Sequence, residues 1–278
     1  MANKTMKKQT FTLFLALILF LNSSLILSAH GKAEDSIPRE VILTNLNNII
    51  LNKDCAEDKN KLEEILRIKR PRNVFIEHWI IQESTNKKLL KEVRKITNKY
   101  NSKLYFVTGR NTWFGQRAAE HILPLYKEYG EYIDGIVLRI EPNRVNLWKE
   151  DDDSMKVQVL NQMLDGYSVV YSYAQKIGKS FIVEFPFWLT DFQGPKRTFS
   201  DDACIYADKV IFLIDNEEKL DTLEIAWNDI TCHYLINLGK RATRQNEEKI
   251  KEIYNKLNKK LTLYSNFGGY IIDADSSL

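Results

Sequence analysis

Apolar and polar positions alternate along this chain in a cycle that repeats eight times between residues 41 and 273. Short, almost continuously apolar runs, typical of strands buried on both faces, are separated by longer segments with the periodicity of amphipathic helices. The strand-like runs cover residues 41–44, 73–81, 104–107, 135–141, 181–187, 210–214, 233–238 and 269–272. The helix-like segments cover residues 54–69, 87–100, 117–129, 155–177, 217–227 and 245–261.

Strands that alternate with helices predict an α/β fold with a parallel sheet, and eight such units predict a (β/α)8 TIM-like barrel. We expect this barrel to occupy residues 39–278. The chain ends five residues after Asp273, so we expect a barrel that lacks its last outer helix. An open, doubly wound sheet is the alternative architecture.

Residues 1–31 have the pattern of a secretory signal peptide. Three lysines precede an apolar stretch at residues 11–21, which is followed by a polar break, a second short apolar run and a tail of small residues. The alternative is an uncleaved membrane anchor, because residues 11–28 approach the length that spans a bilayer. The polar break and the small-residue tail favour cleavage, which predicts a secreted, extracytoplasmic protein.

The formal net charge of +3 belongs to this leader, whose three lysines are not accompanied by any acid. The remainder of the chain is therefore electrically neutral, and it gives no electrostatic reason to expect a nucleic-acid partner. We expect no membrane partner after cleavage of the leader, and the sequence does not indicate an oligomeric state.

The cysteines, Cys55, Cys204 and Cys232, lie far apart and do not have the spacing of a zinc site. We expect neither a metal nor a cofactor. In an exported protein a disulfide is the natural use of two of these residues, and Cys204–Cys232 is the preferred pair. Three buried, unpaired cysteines fit the spacing equally well.

The ends of the predicted strands carry carboxylates, and barrels of this type place their chemistry at the carboxyl ends of their strands. The run at residues 135–141 ends on Glu141, and strand alternation puts Val137, Arg139 and Glu141 on one face. The candidate catalytic carboxylates are Glu141, Glu184, Asp215 and Asp273. The candidate substrate-binding residues are Arg139, Trp113 and Trp188, since an indole ring can stack on a sugar.

Some of these residues also have a purely structural interpretation. Arg139 and Glu184 would lie on neighbouring strands, where an inward salt bridge would satisfy two charges that are costly to bury alone. Asp215 precedes a helix-like segment and fits a helix cap as well as a catalyst. The acidic run at residues 150–153 also precedes a helix, so we expect it to cap that helix rather than to bind a metal.

Residues 134–141, D-G-I-V-L-R-I-E, resemble the fourth-strand signature D-G-x-D-x-D-x-E of the family 18, chitinase-like glycoside hydrolases. Residues 140–142 (I-E-P), 184–188 (E-F-P-F-W) and 267–273 resemble, in the same order and with similar spacing, segments of largely uncharacterised bacterial barrel proteins with an L-D-x-E-P strand. The resemblance implies a TIM barrel that acts on a poly- or oligosaccharide, with Glu141 as the general acid.

Two aspartates of the family 18 signature are replaced here by Val137 and Arg139. Substrate-assisted hydrolysis requires an aspartate to orient the acetamido group, and an arginine cannot do this. Three classes of function therefore remain. The first is an exported glycoside hydrolase-like enzyme, with Glu184, Asp215 or Asp273 as base or stabiliser beside Glu141. The second is a catalytically inactive barrel that binds carbohydrate, and the third is an exported barrel that binds another protein.

Overall fold

The computed structural model describes residues 39–43, 55–80, 86–149, 152–190, 192, 198–214, 230–238, 247–261 and 263–273. The chain divides into the units Met1–Ile37 and Pro38–Leu278, and every described element belongs to the second. The leader expected at residues 1–31 and the helix expected at residues 217–227 lie outside the described residues.

Eight parallel strands close into a barrel in sequence order, and the last strand pairs with the first. The strands are β1 (Arg39–Leu43), β2 (Asn73–Glu77), β3 (Lys103–Thr108), β4 (Gly135–Arg139), β5 (Ser180–Pro186), β6 (Lys209–Ile214), β7 (Tyr234–Leu238) and β8 (Phe267–Asp273). The predicted (β/α)8 barrel is therefore confirmed, and the open-sheet alternative is wrong because an open sheet would leave two strand edges unpaired.

Helices surround the barrel wherever the structure describes the connections between strands. They are α1 (Cys55–Lys69), α2 (Asn86–Lys99), α3 (Gln116–Tyr129), α4 (Asn146–Lys149), α5 (Asp153–Lys176), α6 (Phe199–Ile205) and α7 (Glu247–Leu261). In α2 the buried residues Leu89, Leu90, Val93 and Ile96 recur at helical spacing, which seats one apolar stripe against the barrel. Helices α4 and α6 were not predicted, because such short segments contain too few turns to show periodicity.

Helix α5 is the longest described helix, and an acid caps its first turn. The Asp152 carboxylate accepts a hydrogen bond from the Ser154 N–H at 2.8 Å, as expected for the acidic run at residues 150–153. None of the helices that the structure describes is long and apolar enough to cross a bilayer.

One apolar layer fills the middle of the barrel. Its members are Ile42, Phe75, Tyr105, Val107, Val137, Ile182, Ile211, Leu235 and Ile271. All eight strands contribute to the layer, and burial of each side chain contributes about 1.5–3 kcal/mol to stability. Side chains alternate along a strand, so the residues two positions away from this layer also point inward. We call the carboxyl ends of the strands the upper end of the barrel and the amino ends the lower end.

Two strands end at least two residues earlier than predicted, and each is followed by a single 3-10 turn. Strand β2 ends at Glu77 and the turn His78–Ile80 follows, whereas a strand was expected through residue 81. Strand β4 ends at Arg139 and the turn Pro142–Arg144 follows, so Glu141 does not end the strand as predicted. Pro142 has no N–H to donate to the sheet, and it starts the turn instead.

A disulfide joins α6 to the segment before β7. Cys204 and Cys232 are bonded, with their Cα atoms 5.4 Å apart. This spacing is typical of disulfides. The preferred pairing is therefore confirmed, and the alternative of three unpaired cysteines is wrong.

Candidate functional site

A chain of hydrogen-bonded side chains crosses the upper end of the barrel. Arg139 donates from Nε to Glu184 Oε2 at 2.8 Å and from Nη1 to Glu77 Oε1 at 2.9 Å. Asn237 donates from Nδ2 to Glu184 Oε1 at 2.7 Å. We call these four residues, which come from β2, β4, β5 and β7, the ionic chain.

The sequence places these residues together through strand register and alternation. Arg139 and Glu184 are direct Cα partners on β4 and β5, which confirms the predicted inward salt bridge. Glu77 and Asn237 were not predicted as partners. The signal was present, because Glu77 lies two positions beyond the inward Phe75 and Asn237 lies two positions beyond the inward Leu235.

Electrostatics hold the guanidinium of Arg139 in its charged form. Burial alone would lower the pKa of Arg139, but the carboxylates of Glu184 and Glu77 raise it above its ordinary value. Glu184 is only 1% exposed, and both of its oxygens accept hydrogen bonds from donors. In this arrangement both oxygens of Glu184 are occupied by protein donors, so Glu184 fixes the position of Arg139.

A cavity of about 140 Å³ opens beside the ionic chain, between the loops that follow β2 and β3. Glu77 and Arg139 belong to both the ionic chain and the cavity. The complete lining consists of Glu77, His78, Trp79, Val107, Thr108, Gly109, Arg110, Trp113 and Arg139. We call this cavity the upper pocket. Its position agrees with the general location of ligand sites in barrels of this type.

Gly109 allows the loop after β3 to cross directly over β4. Its φ is +153°, and a Cβ atom at this position would lie 1.9 Å from the carbonyl oxygen of Arg139. No other residue type fits so close to a neighbouring backbone. This contact fixes one wall of the upper pocket relative to Arg139.

Two tryptophans border the upper pocket. Trp79 lies on the turn after β2 and is 61% exposed. Trp113 is partly exposed, and its ring stacks on His121 with the centroids 4.3 Å apart and the planes 13° apart. A stacked ring keeps a fixed orientation, so Trp113 presents a defined apolar surface to the pocket. Trp113 was predicted as a substrate-binding residue, whereas Trp79 was not singled out.

His78 lies behind Trp79 in the wall of the upper pocket. It is buried, and its ring packs against Phe106 at 5.4 Å and Tyr129 at 5.9 Å. Burial lowers the pKa of His78, and the charge of Glu128 opposes this shift only in part. His78 is therefore held neutral as part of the aromatic support for this wall.

The predicted general acid, Glu141, lies at the upper end but does not line the upper pocket. Its side chain is 15% exposed, and Oε2 pairs with Nη2 of Arg144 at 2.9 Å. The Arg144 side chain is 61% exposed. The Glu141 N–H donates to Oδ1 of Asn111 at 3.3 Å, which ties this segment to the loop after β3.

Trp188, the other predicted sugar platform, belongs to a separate aromatic cluster. It lies on the turn Phe187–Leu189, and its ring centroid is 5.4 Å from that of Trp148. Trp148 also contacts Phe192 at 5.6 Å. Trp188 is partly exposed and does not line the upper pocket.

The remaining candidates are placed only in part. Asp273 is the last residue of β8, with its Cα paired to that of Ile42, and its side chain lies outside the described part of the chain. Asp215 lies wholly outside it. Among the residues that the structure describes, no cluster of three or more His, Cys, Asp or Glu side chains could hold a metal ion.

Asp134, which matches the first aspartate of the family 18 signature, lies at the opposite end of the barrel. It pairs with Arg94 of α2 and accepts the Leu104 N–H at 2.8 Å. Burial alone would raise the pKa of Asp134, but the hydrogen bonds from Arg94 and Leu104 lower it below its ordinary range. Asp134 therefore anchors a helix at the lower end.

No protein-family model and no curated protein matches this chain. Among solved structures, the barrel is similar to a Bacteroides thetaiotaomicron protein assigned as an alpha-L-fucosidase, with a TM-score of 0.51, 13% identity and coverage of 84% of this chain and 86% of that chain. It is also similar to the C-terminal domain of a Desulfitobacterium hafniense protein assigned as a chitinase, with a TM-score of 0.50, 11% identity and coverage of 81% and 77%.

A third similar structure is the orotidine 5'-monophosphate decarboxylase of Methanocaldococcus jannaschii, with a TM-score of 0.48, 14% identity and coverage of 87% of this chain and 93% of that chain. At these identities the likeness is one of fold. The chain is a (β/α)8 barrel, the fold that it shares with these proteins.

Proposed function

We propose that this protein is an exported, glycoside hydrolase-like barrel that binds carbohydrate in the upper pocket. One observation carries the proposal: two tryptophan rings, Trp79 and Trp113, border the same cavity as a charged pair, Glu77 and Arg139. A sugar ring has an apolar C–H face and an edge of hydroxyl groups. The indole rings suit the face, and the charged pair suits the edge.

The ionic chain supplies fixed hydrogen-bonding groups for such a ligand. A guanidinium has five N–H donors in a rigid plane, and two of those of Arg139 bind Glu184 and Glu77. The contacts on both sides of Arg139 hold it in place before a ligand arrives. Preorganisation of this kind lowers the cost of binding, because the polar groups need not be ordered by the ligand.

The distribution of carboxylates favours binding over hydrolysis in this pocket. Glycoside hydrolysis typically uses two carboxyl groups, one on each side of the scissile bond. Among the residues that line the upper pocket, Glu77 alone carries a carboxylate, and it is bound to Arg139. The inactive, carbohydrate-binding alternative is therefore the function that the pocket supports best.

Two independent features support export. Residues 1–31 have a signal-peptide pattern, and the disulfide Cys204–Cys232 is of a kind that persists in oxidising compartments. We expect N-terminal sequencing of exported protein to place the mature start between Gly31 and Glu34. Recovery of a chain that starts at Met1 or Ala2 would show that the leader is retained as an anchor.

Hydrolysis with Glu141 as the general acid is the second candidate. The observation in its favour is the position of Glu141, which is largely buried at the upper end and pairs with the exposed side chain of Arg144. If the protein hydrolyses a glycan, Glu141→Gln should reduce turnover by about 10²–10⁴-fold and leave binding nearly unchanged. Hydrolysis that survives this substitution would eliminate Glu141 as the acid.

The binding proposal is tested by titrating the protein with a panel of bacterial and plant oligosaccharides. Trp79→Ala should weaken binding of any positive glycan by about tenfold or more, because the exposed ring provides one face of the site. Leu263→Ala is the matched control. It also removes an apolar side chain, which is 81% exposed, but at the lower end and away from the pocket. Equal losses in both variants, or no binding to any glycan, would contradict the proposal.

A further inference from the structure

The lower end of the barrel exposes a ring of large aliphatic side chains. Ile68 is 62% exposed, Ile177 37%, Ile205 47% and Leu263 81%. Ile68 lies in the last turn of α1, Ile177 directly follows α5, Ile205 ends α6, and Leu263 lies between α7 and β8. Helices run antiparallel to the strands in this fold, so all four positions belong to the lower end.

These residues are distributed around the lower end rather than gathered in one connection. They come from four different places around the barrel, namely the connections before β2, β5, β6 and β8. None of them lines the upper pocket or the small cavity beside Phe192 and Phe199. Separate exposed side chains of this kind can each enter an apolar interface, whereas they do not enclose a small molecule.

The loops of the lower end are also basic. Exposed cations lie at this end beside β2, β3 and β5: Arg70 and Arg72 before β2, Lys103 as the first residue of β3, and Lys176 as the last residue of α5. This excess is local, because the chain beyond the leader carries equal numbers of acidic and basic residues.

The acids of the same described loops are mostly engaged. Asp134 pairs with Arg94, and Asp208 accepts hydrogen bonds from the Phe181 N–H and the Gln175 amide. Glu40 is buried, and Glu131 is the exposed acid among the loops of the lower end that the structure describes. The lower end therefore presents a net positive, partly apolar surface.

We propose that the lower end docks on the surface of an anionic lipid bilayer. Basic side chains are attracted to anionic head groups, and exposed aliphatic side chains gain by entering the interface. The combination of cations with exposed aliphatic side chains suits an anionic bilayer, whose interface accepts apolar side chains, better than it suits a nucleic acid, whose phosphates engage cations alone. The inference departs from the expectation that the protein leaves the membrane after cleavage, and it does not depend on glycan binding.

This orientation has a consequence for the site. The upper pocket lies at the opposite end of the barrel from the docking surface, so a docked molecule would turn its pocket away from the bilayer. An exported protein held in this way would present Trp79 and Trp113 to glycans outside the membrane.

The test is co-sedimentation of a chain that starts at residue 32 with lipid vesicles. This chain retains all eight strands of the closed barrel, so it keeps every described element. It should bind vesicles of phosphatidylglycerol and phosphatidylcholine mixed in equal parts, but not vesicles of phosphatidylcholine alone. Binding should weaken as salt is added, because the attraction between exposed charges is screened.

The double change Arg72→Gln with Lys103→Gln should reduce the partition coefficient by about 20-fold, since each basic residue near an anionic surface contributes separately. The matched control is Lys88→Gln with Arg117→Gln. It removes two exposed cations from the first turns of α2 and α3, at the upper end. The control should bind vesicles like the unchanged protein.

The apolar contribution is tested by Ile68→Ser with Leu263→Ser, which should reduce the partition coefficient by about tenfold. Val169→Ser is the control, because Val169 is 48% exposed in the middle of α5, away from both ends. The proposal is overturned by absence of binding, by equal binding to both kinds of vesicle, or by equal losses in the lower-end variants and their controls.

Discussion

The two ends of the barrel interior bury charge in different ways. At the upper end, Arg139 is bonded directly to Glu77 and Glu184, and Asn237 completes the hydrogen bonding of Glu184. The Arg139 and Glu77 side chains keep 26% and 17% exposure, so the charged groups are fixed and can still be reached from the upper pocket.

At the lower end, the carboxylate of Glu40 has no direct cationic partner among its described contacts. It is 1% exposed, and it accepts hydrogen bonds from the backbone N–H and, at 3.0 Å, the side-chain amide of Asn73. Burial raises the pKa of Glu40 and lowers that of Lys209, which acts on it through space. The polar groups inside the lower end are therefore closed to solvent, whereas those of the upper end form a preorganised, accessible site.

We expect the largest loss of unfolding free energy when the ionic chain is broken. Arg139→Met leaves two inward carboxylates without their cation, so it should lower the free energy of unfolding by about 3–5 kcal/mol. Adding Glu184→Gln should restore much of this loss, because a neutral amide in place of the 1% exposed carboxylate no longer requires a cation. The measurement is a double-mutant cycle in chemical denaturant. Strictly additive losses would show that the salt bridge contributes no coupling.

The wall of the upper pocket is tested by Gly109→Ala. The new Cβ would collide with the carbonyl of Arg139, so we expect a loss of about 2–3 kcal/mol in unfolding free energy together with weaker glycan binding. Gly178→Ala is the control. Gly178 has a φ of +66° but nothing within 4 Å of its added Cβ, so only the backbone cost of about 1 kcal/mol applies. Equal losses of unfolding free energy at both positions would show that the close contact between Gly109 and the Arg139 carbonyl does not matter.

The buried Glu40 at the lower end should contribute less to the free energy of unfolding than the ionic chain does. Its contribution should depend on pH. The folded-state pKa of Glu40 is raised, so the folded protein binds the proton more tightly and stability falls as pH rises above about 4.5. Glu40→Gln should abolish this contribution and change stability at neutral pH far less than Arg139→Met. Unfolding free energies of both proteins across this range test the expectation. A Gln variant that is less stable at every pH, by a constant amount, would contradict it.

Substitution of His78 should have the smallest effect on the free energy of unfolding. The pH dependence that His78 contributes should have the opposite sign to that of Glu40. Its folded-state pKa is lowered, so the unfolded chain binds the proton more tightly and stability is lost as pH falls below about 6.5. His78→Phe keeps an aromatic ring beside Phe106 and Tyr129 and removes the titration. The difference in unfolding free energy between about pH 7.5 and about pH 5.5 should therefore be smaller in the variant. An unchanged difference would show that His78 does not contribute.

Much of the fold could be predicted from the sequence because its signals are local. Apolar runs separated by amphipathic segments give the strands and helices, and sequential pairing of parallel strands follows from their order. The Arg139–Glu184 contact was predictable for the same reason, since β4 and β5 are neighbours and both residues face inward. The ends of β2 and β4 were less predictable, because a 3-10 turn continues an apolar run without changing its composition.

The site was less predictable because its parts meet across the barrel. Glu77 reaches Arg139 from β2, which is not a neighbour of β4, and Asn237 reaches Glu184 from β7. Alternation along each strand gives the inward direction of these side chains, but the contacts also depend on the diameter of the barrel, which the pattern along the chain does not encode. The strand-end pattern pointed to Glu141 and Trp188, whereas the upper pocket lies between the loops after β2 and β3.

Binding of a sugar in the upper pocket, which Trp79 and Trp113 border, can be followed directly by NMR. The chain contains five tryptophans, so the indole N–H signals of a ¹⁵N-labelled sample form a small set that can be followed during titration with a binding oligosaccharide. We expect the signals of Trp79 and Trp113 to shift together, and those of Trp148 and Trp188 to stay in place. A titration in which Trp148 and Trp188 shift while Trp79 and Trp113 do not would contradict the claim and move the site to the other aromatic cluster.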